Sequence, residues 1–168
     1  MSNHAVRVMS GLISAAKDIK AGFKGLTGVF MHLMEEHGKV GVLIRRVAKS
    51  DDVALRAELY PEIRSALLAH EKGELTVVYP ALASLPGVSS IELTHAREAG
   101  ELEIALADVD SFPFNDPNWG AAFKRLADLV EQHVEQEEND YFPRAQKALG
   151  DERAKRMLAE LEATKTHS

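Results

Sequence analysis

Apolar residues in this chain recur every three or four positions, in runs long enough for helices, and nowhere alternate long enough for a strand. A helix with one apolar stripe must bury that stripe against another element. Four such runs are present. Over 27–48 the stripe reads Phe30, Leu33, His37, Val40, Ile44 and Val47. Over 51–84 it reads Ile63, Leu67, His70, Glu74, Val77 or Val78, and Ala81. Over 89–108 it is Ile91, His95, Leu102 and Leu106, continued by Val109. Over 119–149 it is Phe123, Leu126, Val130, His133, Glu137, Tyr141 and Ala145.

The punctuation falls between these runs. Ser50-Asp51-Asp52 is a capping signature, Pro86-Gly87 closes the second run, Pro113 to Pro117 mark a loop, and Gly150-Asp151 breaks the fourth. Pro61 is a kink or restart within the second helix. A short helix over 152–161 ends the chain. Residues 4–21 form an amphipathic segment loosened afterwards by Gly22, Gly25 and Gly28. The fold expected is all-α: an up-down-up-down four-helix bundle over 27–168, preceded by an N-terminal helical arm over 1–26 and closed by a short C-terminal helix.

Composition bounds the function. A chain of 168 residues, 45% hydrophobic and 27% charged, is a single globular domain able to bury a core without metal or disulfide staples. A net charge of −6 argues against nucleic acid as a partner, because phosphate neutralisation needs clustered Lys and Arg. The absence of cysteine removes thiolate zinc sites, iron–sulfur ligation and Cys nucleophiles. No stretch approaches the ~20 apolar residues of a membrane span. Arg7, Lys17, Asp18, Lys20 and Lys24 interrupt the N-terminus where a signal peptide needs an apolar run, so a cytoplasmic protein is expected.

The histidines carry the chemistry. Four of the seven lie in the apolar stripes, one per long helix: His37, His70, His95 and His133. Two are followed four residues later by glutamate, as His70/Glu74 and His133/Glu137. Positions i and i+4 share a helix face, so each pair projects an imidazole and a carboxylate inward. Taken singly, a histidine on an apolar face is more often a hydrogen-bonded core residue, and an HxxxE pair is more often solvated. Six such groups converging on one bundle axis are different, since unpaired buried carboxylates cost several kcal/mol each. A pair of iron ions would satisfy all six, because imidazole suits iron and a carboxylate can bridge two cations.

With its "EEHGKVGVL", "LLAHEKGELTVVYPAL", "LTHAREAG" and "LVEQHVEQEENDYFPRA" segments, the chain resembles the hemerythrin-like, or HHE cation-binding, family over roughly residues 30–149. The aromatic-Pro pairs Tyr79-Pro80 and Phe142-Pro143 also match. The resemblance implies a four-helix bundle with two irons, oxo- or hydroxo-bridged, and Glu74 and Glu137 as bridging carboxylates. Oxygen-carrying members place a further histidine one turn after the third-helix histidine, where this chain has Ala99. The implied site is one imidazole short, with iron positions left for water, peroxide or nitric oxide. The six-ligand set is more similar to the di-iron repair proteins of the family, whose extra Cys-containing segment has no counterpart here.

Several neighbours are secondary candidates. Glu71 follows His70, Glu98 is close to the missing histidine, and Glu138 follows Glu137 but is rotated away in a regular helix. Tyr79 and Tyr141 read as core packing first and as hydrogen-bond donors to the ligands second. His32 lies off the inner stripe, and His4 and His167 read as solvated termini.

Other classes fare worse. A ferritin-like oxidase needs two Glu-x-x-His motifs, and only Glu92 to His95 supplies one. A zinc protease needs HExxH, and the segment at His70 lacks the second histidine. The remaining readings are a di-iron protein binding or sensing oxygen, peroxide or nitric oxide; an enzyme dismutating peroxide or reducing nitric oxide; and iron handling. The arm, with Lys17, Lys20 and Lys24 beside its apolar side, suggests a homodimer contact.

Overall fold

The computed structural model describes residues 25–166. The arm helix expected over 4–21, the dimer contact built on it, and His4 and His167 lie outside the described residues. Among the described residues there are helices and no strand, in the order α1 (Gly28–Ala48), α2 (Val53–Gly73), α3 (Ser89–Asp110), α4 (Pro117–Gln136), α5 (Phe142–Leu149) and α6 (Asp151–Thr166). None of these helices is long and apolar enough to cross a membrane.

The caps follow from local chemistry. Asp52 starts α2 by accepting from the Ala54 and Leu55 amides at 2.9 and 3.4 Å. Asp116 does the same for α4, accepting from the Asn118 amide at 2.7 Å, with Pro117 in the first turn where its missing N–H costs nothing. That start lies earlier than the tryptophan expected to open the helix. Pro61 is absorbed within a continuous α2.

Two apolar cores order the helices. One gathers Phe30, Leu33 and Met34 from early α1, Val78, Tyr79 and Leu82 from beyond α2, Ile91 from early α3, and Phe142 and Ala145 from α5. The other gathers Ile44 and Val47 from late α1, Tyr60 and Ile63 from early α2, Leu106 and Val109 from late α3, and Trp119 and Phe123 from early α4. Each helix therefore runs from one core to the other in alternate directions, which is the up-down-up-down order. His37, His70, His95 and His133 fall at the changeover on every helix. At the far end Tyr60 donates to Asp110 at 2.7 Å, and the Arg56 guanidinium lies 4.9 Å over the Trp119 ring.

The second and fourth runs are not continuous α-helices. Each widens into a π-turn at its glutamate, over Glu74–Val78 and Glu137–Tyr141. The Tyr79 amide donates back to the Glu74 carbonyl and the Phe142 amide to the Glu137 carbonyl, five residues each. Pro80 and Pro143 come next in the chain. A proline lacks the N–H that would close the regular turn and its ring crowds the carbonyl four residues back, so the wider turn is the accommodated form. A wide turn also puts the fourth and fifth residues after each glutamate on one face. Val78, Tyr79, Tyr141 and Phe142 are all buried.

The C-terminal helix is longer than the expected tail and belongs to the core through Ala154, Met157 and Leu161. Two glycines admit it. Gly28 has φ +55, and a Cβ there would meet the Ala154 carbonyl oxygen at 2.4 Å. A Cβ on Gly73 would meet Leu161 Cδ1 at 2.4 Å.

Candidate metal centre

Between the two cores the six expected side chains come together, and a seventh joins them. Glu74, His95 and Glu137 are each 0% exposed, and His37 and Glu71 are buried; His70 and His133 are partly buried. Two groups of four donors form, with ligand atoms within 4.8 Å of one another: His37, His70, Glu74 and Glu137; and Glu71, Glu74, His95 and His133. Glu74 belongs to both. Glu137 also spans them, with Oε2 3.2 Å from His37 Nε2 and Oε1 3.3 Å from His133 Nε2 and 3.5 Å from His95 Nε2.

The α-helical spacing works as expected within each HxxxE pair: His70 Nε2 lies 3.3 Å from Glu74 Oε1, as His133 Nε2 does from Glu137 Oε1. The π-turn begins only after the glutamate, so it leaves this spacing intact and re-aims the residues beyond it. Tyr79 thereby reaches across to donate its hydroxyl hydrogen to Glu137 Oε1. Its ring stacks on His95 at 3.6 Å. The phenol is a hydrogen-bond donor to the cluster as well as core packing.

Three imidazoles have their outer nitrogen on a carboxylate outside the inner cluster. His37 Nδ1 is 3.1 Å from Glu138, His70 Nδ1 is 2.8 Å from Glu36, and His133 Nδ1 is 3.2 Å from Glu98. Such a partner fixes the ring and its tautomer, leaving Nε2 to face the centre. Glu36 is itself held by His32 and by Lys165 from α6. Glu98 also accepts from the Tyr141 hydroxyl at 3.3 Å. Glu138 and Glu98 thus back the histidines. His32 is partly buried against Glu36.

Glu71 is the residue that sequence spacing ranked too low. It sits one position after His70 on α2, so helical geometry turns it 100° toward α3, where its Oε1 comes 3.5 Å from His95 Nε2. Ala99, one turn beyond His95, is buried and offers no donor. The signal available for Glu71 was its place directly after His70.

The electrostatics are those of a cluster built around positive charge. Burial alone would push the Glu74 and Glu137 carboxyls up, but the His70 and His133 imidazoles and their hydrogen bonds hold both below the usual range. Burial likewise opposes protonation of the histidines, yet the glutamate charges win: His70 is raised well above its ordinary value, His95 to about 9 and His133 to about 12. Glu71 goes the other way, raised to about 7 by burial and by the Glu74 charge.

Protons do not complete the arrangement. Glu71 Oε1, Glu74 Oε1, Glu137 Oε2 and His133 Nε2 are buried where the two groups meet, facing opposite charge at 3.2–3.5 Å but without a well-formed hydrogen bond. Orphaned buried polar atoms are costly and rare. His37 Nε2 and His70 Nε2 lie 3.1 Å apart, the spacing of two donors sharing one cation at ~2.1 Å and right angles. The donor set, imidazole nitrogen and carboxylate oxygen without sulfur, fits a transition metal such as iron.

A helical bundle with His/Glu donor groups at its centre defines a cation-binding bundle protein. The chain belongs to the hemerythrin HHE cation binding domain family, whose model matches residues 28–145. A DNA nickase of Nostoc sp. is 28% identical over 131 residues, covering 78% of this chain. The chain spans only 37% of that relative's length. No solved structure matches it.

Proposed function

We propose that the protein is a non-haem di-iron protein that binds or senses oxygen, peroxide or nitric oxide at this centre. His37 and His70 would hold one iron, and His95, His133 and Glu71 the other, with Glu74 and Glu137 spanning both. The observation that carries the reading is a set of four buried donor atoms in one small space that meet one another and the neighbouring rings only at 3.2–3.5 Å without a well-formed hydrogen bond, beside three rings whose outer nitrogens are already committed.

Bound there, the iron pair would supply redox change and open coordination positions for a small oxygen or nitrogen ligand. The chain supplies the rest. Glu138, Glu36 and Glu98 orient three imidazoles, and Tyr79 holds Glu137 in place and keeps a proton beside its carboxylate. The core on the Phe30–Phe142 side excludes water from one face of the cluster. Ala99 leaves the second group without the histidine of oxygen carriers, and Glu71 offers a carboxylate instead. That favours ligand sensing or turnover over simple reversible carriage.

The nicking activity named for the relative is not carried over, because the chain is 28% identical to it and spans only 37% of its length. Metal analysis of purified protein tests the proposal, with two irons per chain expected; folded protein that stays metal-free after growth with ample iron would end it. Oxygen titration followed by visible absorbance then separates reversible binding from irreversible oxidation. Oxygen evolution on adding peroxide, above that of free iron, would make it a peroxide-dismutating enzyme. Iron transfer to an apo-acceptor would make it an iron-handling protein.

A further inference from the structure

The layer next to the cluster differs on its two sides. Toward the Phe30 core, Leu33, Met34, Val78 and Phe142 close completely, at 0% exposure. Toward the Trp119 core, Val40, Leu43, Leu67, Leu102 and Val130 retain 6–9% exposure. Three of these five lie three residues from a cluster histidine, and all five face one cavity of about 520 Å³. His37, His70, Glu71 and His133 line the same cavity. Its rim is charged, with Lys39, Glu62, Arg97 and Glu101.

A diatomic or a peroxide fills about what one or two waters fill, a water's share being ~30 Å³. A cavity of 520 Å³ falls in the range that encloses an organic ligand. Five aliphatic side chains from four helices make the wall, and the metal-binding groups make one end. A ligand matching both has an aliphatic body and one hard oxygen head, since a pair of cations attracts an anionic oxygen donor.

We propose that this cavity binds a medium-chain aliphatic carboxylate, its chain against Val40, Leu43, Leu67, Leu102 and Val130 and its head toward the metal centre. The proposal rests on the reading of the cluster as a metal site for the placement of the head, and on the cavity alone for the chain.

The test is calorimetric titration of the full chain, with and without iron, using hexanoate, octanoate and decanoate, with iron measured on each sample. Expected is one ligand per chain, with affinity rising about fourfold per methylene as each is removed from water. Leu43→Phe and Leu102→Phe, which fill the cavity from different helices, should each weaken decanoate about tenfold or more without loss of iron. Affinity that does not depend on chain length, or filled variants that bind decanoate like the parent, would overturn the proposal. Iron-loaded protein that ignores decanoate ends this proposal and leaves the metal reading intact. Chain-length-dependent binding by protein that takes up no iron supports the wall while ending the metal reading.

Discussion

Glu74 and Glu137 are fully buried carboxylates surrounded by imidazoles, so any metal must compete with the protons the cluster shares. Without metal, His95 and His133 hold protons up to about 9 and about 12, and Glu71 up to about 7. Metal binding must displace them. Iron or zinc uptake in weak buffer at neutral pH is therefore expected to acidify the solution, with affinity falling as pH is lowered; uptake without proton release would contradict this. The same shifts set the stability of the metal-free protein. His95 has a raised folded value, so its contribution is complete below about 6.5 and fades as pH rises through about 9. Glu71 is raised by burial and so disfavours the fold as pH rises through about 7. Glu74 and Glu137 are lowered, so their contribution fades as pH falls below the ordinary carboxylate value. Thermal unfolding of metal-free protein should show its maximum on the acid side, near about pH 5, and metal should move that maximum upward. Tyr79→Phe removes the donor to Glu137 while keeping the ring on His95. It should keep the parent's metal content but bind the metal roughly ten- to a hundredfold more weakly in chelator competition. At this scale the six spaced residues were legible, because i and i+4 share a face in any helix. Glu71 and the outer carboxylates were not, because a residue 100° off the stripe faces the interior only if a neighbouring helix is there to meet it.

The two wide turns are the distinctive feature among the elements. Each starts at a cluster glutamate and is followed by an aromatic residue and then proline, Tyr79-Pro80 and Phe142-Pro143. Pro143→Ala restores the N–H and relieves the crowding of the Asn139 carbonyl, letting the regular turn compete. Stability should change by only about 1 kcal/mol or less, while iron affinity falls about tenfold as the groups after Glu137 are re-aimed. Far-UV circular dichroism and chelator competition together check this; unchanged affinity would show that the proline does not set the turn. Asp116 reads as part of a loop and caps α4 two residues earlier than expected, whereas the helix start at Asp52 could be read from capping chemistry alone. The break after Glu74 or Glu137 could not, because the apolar period used to find helices assumes 3.6 residues per turn throughout.

Across the whole molecule, α6 does more than end the chain. It buries Ala154, Met157 and Leu161 in the core beside the metal groups and reaches Glu36 through Lys165. Leu161→Ala should cost about 2–5 kcal/mol, read from denaturant midpoints. Because Leu161 packs on Gly73 between Glu71 and Glu74, weaker iron retention should accompany it. The spacing of apolar residues, the capping residues and the order of His and HxxxE were enough to determine an all-helical bundle and the six side chains that meet at its centre, since these depend only on helix geometry. Only the packed structure decided that Glu71 joins them, that three outer carboxylates hold the rings, that α6 closes one core, and that a cavity lies against the other. Each of those depends on which surfaces of different helices come face to face, and that is fixed by burial of both cores together rather than by the periodicity of any one helix.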